Sequence, residues 1–316
     1  MNRFEPRIEV AVARVRADVA RLHKLLVRGG LTNWTSGVVS GRVPGADLFV
    51  IKPGGLDHTD LAPDNMVLVD LDGSVVEGTP GSERRPSRGV ALHAQLYRHS
   101  DAIGGIVHTH SPYATAFALR GEPVPVLSTT VADEFGGPVP LVPFVNAEAD
   151  VASAIAGSLD AQPSRAVLLE RHGVYAVGER PRDAVRAAVL VEDAARAVQL
   201  ARATGADIRP LDAHDVETIR ARRLHADAAR RRVQRDAESA PAGSYPTSRP
   251  GNARSGGETG SWTTPGSTSS TPTTTSASRH SERNDREDEE VGSRHDHGRR
   301  DARARRMLRP RGRRFR

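Results

Sequence analysis

None of the 316 residues is a cysteine, which excludes disulfide scaffolds, thiolate zinc sites and cysteine nucleophiles. No apolar run approaches the roughly 18 residues that a membrane span needs. Met1–Pro6 leads into a charged amphipathic stretch that lacks the apolar core of a signal peptide. A soluble, cytoplasmic chain with no membrane contact is therefore expected. Aromatic residues are scarce, twelve in all. The net charge of +6 misleads, because residues 293–316 hold eleven arginines against Asp296 and Asp301, and everything before them sums to −3. The basic character belongs to the C-terminal end alone.

That end is poor in material for a core. From Ala237 to Arg316 the large apolar residues are Tyr245, Trp262, Val291, Met307, Leu308 and Phe315. So few cannot offset a backbone ordering cost of roughly 1–2 kcal/mol per residue. Glycines, a Ser/Thr run, a mixed-charge segment and the arginines follow one another in blocks, and 237–316 is expected to be disordered. The arginines could meet nucleic acid or an acidic surface by counterion release. Without interleaved aromatics or a reading module they read as a solvated, sequence-nonspecific tail. Residues 1–225 then form one domain of ordinary size, with 226–236 a charged helical extension.

Within that domain, Val10, Val12, Val15, Val19, Leu22, Leu25 and Leu26 recur at mostly helical spacing until Gly29-Gly30 stops them. Leu48–Ile51 reads as a strand entering a tight loop at Pro53. Met66–Leu71 and Val75-Val76 flank Asp72-Gly73 as a hairpin. Helices are expected at Val90–His99, Pro112–Leu119, Ala147–Leu159 and Pro181–Ala203, with Asp212 capping a last one. Further strands are expected at Ile103–His108, Pro125–Leu127, Leu141–Phe144, Ala166–Glu170 and Val174–Val177. Paired strands with helices between them predict an α/β fold on a mixed, mainly antiparallel sheet.

The most informative segment is Ile106-Val107-His108-Thr109-His110-Ser111-Pro112. Side chains alternate along an extended chain, so His108 and His110 face the same way and can chelate one ion. His172, at the end of the apolar run Ala166–Glu170, is the natural third ligand, and Gly173 permits a sharp turn that aims its ring inward. Three imidazoles with an open position describe a catalytic divalent-metal site, most often zinc, with manganese as the alternative. His93, on the border of its helix's apolar face, reads as a structural hydrogen-bonding residue.

The chain resembles the class II aldolase/adducin superfamily, and within it the L-ribulose-5-phosphate 4-epimerase branch. The resemblance runs from about Arg14 to Leu224. It rests on Gly30-Leu31-Thr32, Thr35-Ser36-Gly37, Val50–Leu56, Asp70–Gly78, His93 to Tyr97, His108–Ser111, Ala132–Pro138, His172-Gly173 and Glu192–Arg196. It implies a single α/β/α domain in a homotetramer with active sites between subunits, acting on a phosphorylated sugar. It implies a divalent metal on His108, His110 and His172, and Asp133 as an acid/base. Thr35, Ser36, Gly37, Lys52, Gly54, Gly55, Ser87 and Arg88 fall where such a relative binds substrate and phosphate. The implied reaction breaks C3–C4 of L-ribulose 5-phosphate, rotates the glycolaldehyde phosphate and rejoins it as D-xylulose 5-phosphate.

The chain also departs from that pattern. Pro86-Ser87-Arg88-Gly89 stands where the family has Pro-Ser-Ser-Asp or Glu, so Gly89 replaces a carboxylate. Gly37-Val38-Val39-Ser40 lacks the family's asparagine, Pro53-Gly54-Gly55 lacks a serine, and Leu224–Ala228 offers no counterpart of a C-terminal tyrosine. Glycine-rich loops still present backbone N–H groups to a phosphate, and Lys52 and Arg88 add charge. Three readings stay open: an epimerase with a rewired site, a class II sugar-phosphate aldolase of the fuculose-1-phosphate type, and a non-catalytic adducin-like scaffold.

Overall fold

A computed structural model describes residues 4–162, 164–205 and 207–239. The expected tail lies outside these residues from 240 onward. Seven strands form one sheet: β1 (Val38–Arg42), β2 (Leu48–Ile51), β3 (Val67–Asp70), β4 (Gly105–Thr109), β5 (Leu141–Val142), β6 (Ala166–Leu169) and β7 (Gly173–Gly178), in the order β3-β2-β1-β4-β7-β6-β5. Every neighbouring pair is antiparallel except β5 with β6. The expected mixed, mainly antiparallel sheet is what the chain forms.

Helices cover both faces. On one side α1 (Pro6–Arg28), α3 (Pro112–Arg120), α4 (Thr129–Phe135) and α6 (Pro181–Ala203) pack Val19, Leu26, Phe117, Phe135 and Val191 against Val39, Val50, Val107 and Ala176 of the sheet. On the other, α2 (Val90–His99) and α5 (Glu148–Ala161) bring Leu96, Tyr97 and Ile155 onto Phe49, Ile51, Ile106 and Val177. The result is an α/β/α layering. α7 (Ala213–Ser239) lies against α4. Asp212 caps it, the carboxylate accepting the Asp215 N–H at 2.7 Å. It runs through Ser239, past the expected start of the tail at Ala237.

Four local expectations change. Pro125–Leu127 is not a strand: only Val124 bridges, to Val139, and Pro125 has no N–H to donate to a ladder. Pro143 likewise stops β5 after two residues. The hairpin after β3 shrinks to a single bridge, Val69 with Val75, because the Asp70 carboxylate accepts the N–H groups of Asp72 and Ser74 and tightens the turn. The strand β1 and the helix α4 stand where the sequence pattern predicts neither. Ser128 caps α4 by accepting the Val131 N–H, and left-handed Gly136 ends it.

β1 lacks a sequence signature because Ser40-Gly41 interrupts its apolar pattern. A Cβ at Gly41 would stand 2.7 Å from Pro181 and 2.8 Å from Val15. Glycine is what lets α1 and α6 close over the sheet centre. Antiparallel pairing then gathers one set of ends together: Val38 pairs with His108, His108 with Tyr175, and Thr109 with Val174. The start of β1 and the ends of β2, β4 and β6 meet the start of β7 there.

Candidate metal centre

The three histidines come from two neighbouring strand ends. His108 is the fourth residue of β4, His110 lies just past its end, and His172 sits in the turn from β6 to β7. Their ligand atoms all lie within 4.8 Å of one another. The Nε2 atoms of His108 and His110 are 2.9 Å apart. The chain separation of 62 residues between His110 and His172 closes because β4 and β7 are adjacent in the sheet.

The turn works differently from the sequence expectation. The left-handed residue is Arg171, with φ 61°, and not Gly173. Gly173 is required for space: a Cβ there would run into the Thr109 carbonyl and come within 2.9 Å of the His110 ring. Glycine thus keeps the two strand ends close enough for the rings to meet.

His108 is held most firmly. Its Nδ1–H donates to the Val174 carbonyl at 2.9 Å, which leaves the lone pair of Nε2 facing the other two rings. Tyr175 stacks on its face, centroids 4.3 Å apart and planes 17° from parallel. Burial, reinforced by the neighbouring imidazoles, pushes the His108 pKa well below its usual value. His110 and His172, exposed at the surface, are also lowered, chiefly by desolvation. Three neutral nitrogens converging on one point fit a divalent cation, which binds only the unprotonated ring. No other group of three such side chains offers this among the described residues.

The expected substrate residues cluster on adjoining loops. Lys52, 2 % exposed, donates from Nζ to the Thr35 carbonyl at 2.6 Å. Burial lowers its pKa, with Asp57 opposing. The Ser87 N–H donates to the Lys52 carbonyl, and the Gly54 N–H to the Arg85 carbonyl, which ties the Pro53–Gly55 loop to Ser87. Gly55 and Gly37 take φ of 74° and 78°, conformations that favour glycine, and Gly37 packs beside the His108 carbonyl. Thr32 Oγ1 bonds both the carbonyl and the hydroxyl of Ser36. Arg88 is exposed and Ser87 buried.

Two residues without any spacing signal belong to this neighbourhood. His58, buried, donates from Nε2 to the Ser36 carbonyl at 2.6 Å. His23 bridges Val19 and Val39 through both ring nitrogens, at 2.7 and 2.9 Å, and locks α1 to β1.

Asp133 stands apart from the histidines in its recorded contacts. It lies on α4, and its carboxylate accepts from Arg223 of α7 at 2.8 Å. Its neighbour Glu134, 2 % exposed, meets Arg186 at 2.7 Å and Arg223 at 3.6 Å. A cavity of about 760 Å³ borders this α4–α7 contact, lined by Val126, Leu211, Val216, Arg220 and Leu224. None of the three histidines lines it.

Comparison with known proteins agrees with this arrangement. The family model for the Class II Aldolase and Adducin N-terminal domain matches residues 17–199. L-ribulose-5-phosphate 4-epimerase UlaF of Salmonella paratyphi A is 36 % identical over 197 residues, which cover 59 % of this chain and 85 % of the relative. Among solved structures, an L-fuculose 1-phosphate aldolase superposes with a TM-score of 0.59 at 29 % identity, covering 65 % of this chain and 94 % of its own. The L-fuculose-1-phosphate aldolase of Thermus thermophilus gives 0.52 at 25 %, over 62 % of this chain and all of its own. The converging histidines on a seven-stranded sheet and a match spanning the whole sheet lead to one conclusion: the chain belongs to the class II aldolase and adducin family.

Proposed function

We propose that the protein is a metal-dependent sugar-phosphate epimerase interconverting L-ribulose 5-phosphate and D-xylulose 5-phosphate. The observation that carries this reading is the convergence of His108, His110 and His172, joined to 36 % identity with an epimerase of that substrate. A divalent ion held by the three rings, zinc or manganese, supplies Lewis-acid polarisation of a ketose oxygen. The chain's own residues do the rest.

Thr35, Ser36, Gly37, Lys52, Gly54, Gly55, Ser87 and Arg88 bind and orient the phosphate end. The buried Lys52 ammonium and the exposed Arg88 provide charge, and the Gly54-Gly55 loop provides backbone N–H groups. Asp133 takes the proton from the C4 hydroxyl as the C3–C4 bond breaks, the bonding pair passing to C3. After the aldehyde turns over, C3 attacks its other face and an acid returns the proton to the C4 oxygen. Asp133 contacts α7 and not the histidines, so it serves the site of a neighbouring copy in a homotetramer with inter-subunit active sites. No described helix is long and apolar enough to cross a membrane, in keeping with a cytoplasmic enzyme.

A second reading has its own support. A class II aldolase of the fuculose-1-phosphate type needs fewer proton-transfer groups, this chain lacks the C-terminal tyrosine, and such an aldolase superposes at 29 % identity. Incubating the metal-loaded protein with L-ribulose 5-phosphate separates them. D-xylulose 5-phosphate is the expected product. Accumulated glycolaldehyde phosphate would assign the aldolase, and no turnover of either kind would contradict both.

A further inference from the structure

His108 has an orienting bond of its own, from Nδ1 to the Val174 carbonyl. His110 has no such bond among the described residues: its polar contact is Nε2 against the His108 ring, 2.9 Å away. Its place is therefore set by the backbone that carries it. That backbone is a two-residue step, His110-Ser111, between the end of β4 at Thr109 and the start of α3 at Pro112.

The start of α3 is held from outside. Ser111 stands at the N-cap, fully buried, and its carbonyl accepts the first helical bond from the Thr115 N–H at 2.9 Å. Its hydroxyl caps nothing. The N–H groups of Tyr113 and Ala114, two of the donors that a helix start leaves without an intrahelical partner, go instead to Glu192. One carboxylate oxygen accepts from Tyr113 at 3.0 Å and the other from Ala114 at 2.9 Å. A carboxylate is favoured there twice, by two charge-assisted bonds and by the positive end of the helix dipole.

Glu192 belongs to α6, which is itself fixed. A Cβ at Gly105 or Gly178 would run into Pro181 or Ala184, so this helix lies hard on β4 and β7. Val191 before Glu192 and Ala195 after it are 0 % exposed. One turn further on, Arg196 stands over the Tyr113 ring, 5.8 Å from its centroid. The same face of α6 thus grips Tyr113 by backbone and by ring, three residues from His110.

We propose that Glu192 is a positioning residue for the metal centre: by holding the first turn of α3 to α6, it sets where His110 stands against His108 and His172. The proposal rests on the metal reading and is independent of which sugar is turned over. His108 is oriented through its ring and His110 through its backbone. Without the two N–H bonds the His110-Ser111 step is released, and it must be ordered as the ion binds.

The test is the zinc affinity of the full chain, read by competition with a chelator, together with nitrogen-15 spectra of the histidine rings. Groups that orient a metal ligand are worth about 10–100-fold in affinity. Glu192→Ala should therefore bind zinc at least about tenfold more weakly. Glu192→Gln, with one acceptor oxygen for two N–H groups, should lose less, and it carries the test if the alanine variant does not fold. In the metal-free protein the ring resonances of His110 should change in both variants, while those of His108 stay in place. Val191→Ala, which loosens the same helix without touching the α3 donors, should lower the urea midpoint and leave zinc affinity unchanged. Zinc affinity equal to wild type in the Glu192 variants, or an equal loss in Val191→Ala, overturns the proposal. A wild type that takes up no zinc contradicts the metal reading and this inference with it. Zinc binding without turnover of L-ribulose 5-phosphate contradicts the sugar reading alone.

Discussion

Arg223 of α7 holds Asp133 of α4, Nη1 to Oδ2 at 2.8 Å, and the same guanidinium reaches Asp227 at 2.9 Å and the buried Glu134 at 3.6 Å. Arg220 beside it donates to the carbonyls of Asp133 and Glu134, closing the C-terminal turn of α4. Two arginines thus fasten the long last helix to the domain and fix the acid/base candidate in place.

Removing Arg223 tests this clamp. Arg223→Ala leaves Glu134, 2 % exposed, with Arg186 as its remaining ion-pair partner among the described residues. Stripping a partner from a buried carboxylate should cost about 2 kcal/mol or more, seen as a lower midpoint in urea unfolding. Arg223→Lys should recover part of it. An unchanged midpoint for Arg223→Ala would mean that its ion pairs with Asp133 and Glu134 contribute nothing to stability.

Acid should destabilise the protein through its buried rings. Burial lowers the pKa of His23 and of His93 to about 3 each. A folded-state value below the unfolded one, roughly 6.5, means the unfolded chain binds the protons. The stabilisation is complete above pH 6.5 and is lost as pH falls toward 3, at about 1.4 kcal/mol per pH unit for each ring. Urea unfolding of the metal-free protein across that range reads the slope. His23→Gln, which keeps a bond to Val19 or Val39 without a titrating group, should lower that slope by one ring's share, about 1.4 kcal/mol per pH unit.

Residues 240–316 should be dispensable. A chain ending after Ser239 keeps α7 entire, and it should retain metal content, assembly size by light scattering and turnover of the full chain. Loss of the assembly on truncation would place the domain boundary elsewhere.

Much of this is legible in the sequence, for reasons that can be named. The helices α1, α2 and α6 announce themselves because their apolar faces repeat every three to four residues, and the histidines because period-two spacing survives on a strand. Asp212 behaves as a cap because its carboxylate can reach the Asp215 N–H. β1 is hidden because both its faces are buried and its middle, Ser40-Gly41, is shaped by neighbours more than 20 residues away. The role of Gly173 escapes local reading for the same reason: its need is the closeness of Thr109 and His110, which only the β4–β7 pairing creates. His58 and Tyr175 carry no local pattern at all. Their place beside the Thr35–Gly37 loop and His108 is a property of the assembled sheet.

His108, His110 and His172 should hold one catalytic ion together. Elemental analysis of purified protein, paired with zinc X-ray absorption, reads it directly. About one zinc or manganese per chain is expected, with three imidazole nitrogens at roughly 2.0–2.1 Å in the zinc form, and no stoichiometric metal in His108→Ala. A folded wild-type chain that takes up no metal, or one that keeps it fully after His108→Ala, would contradict the account.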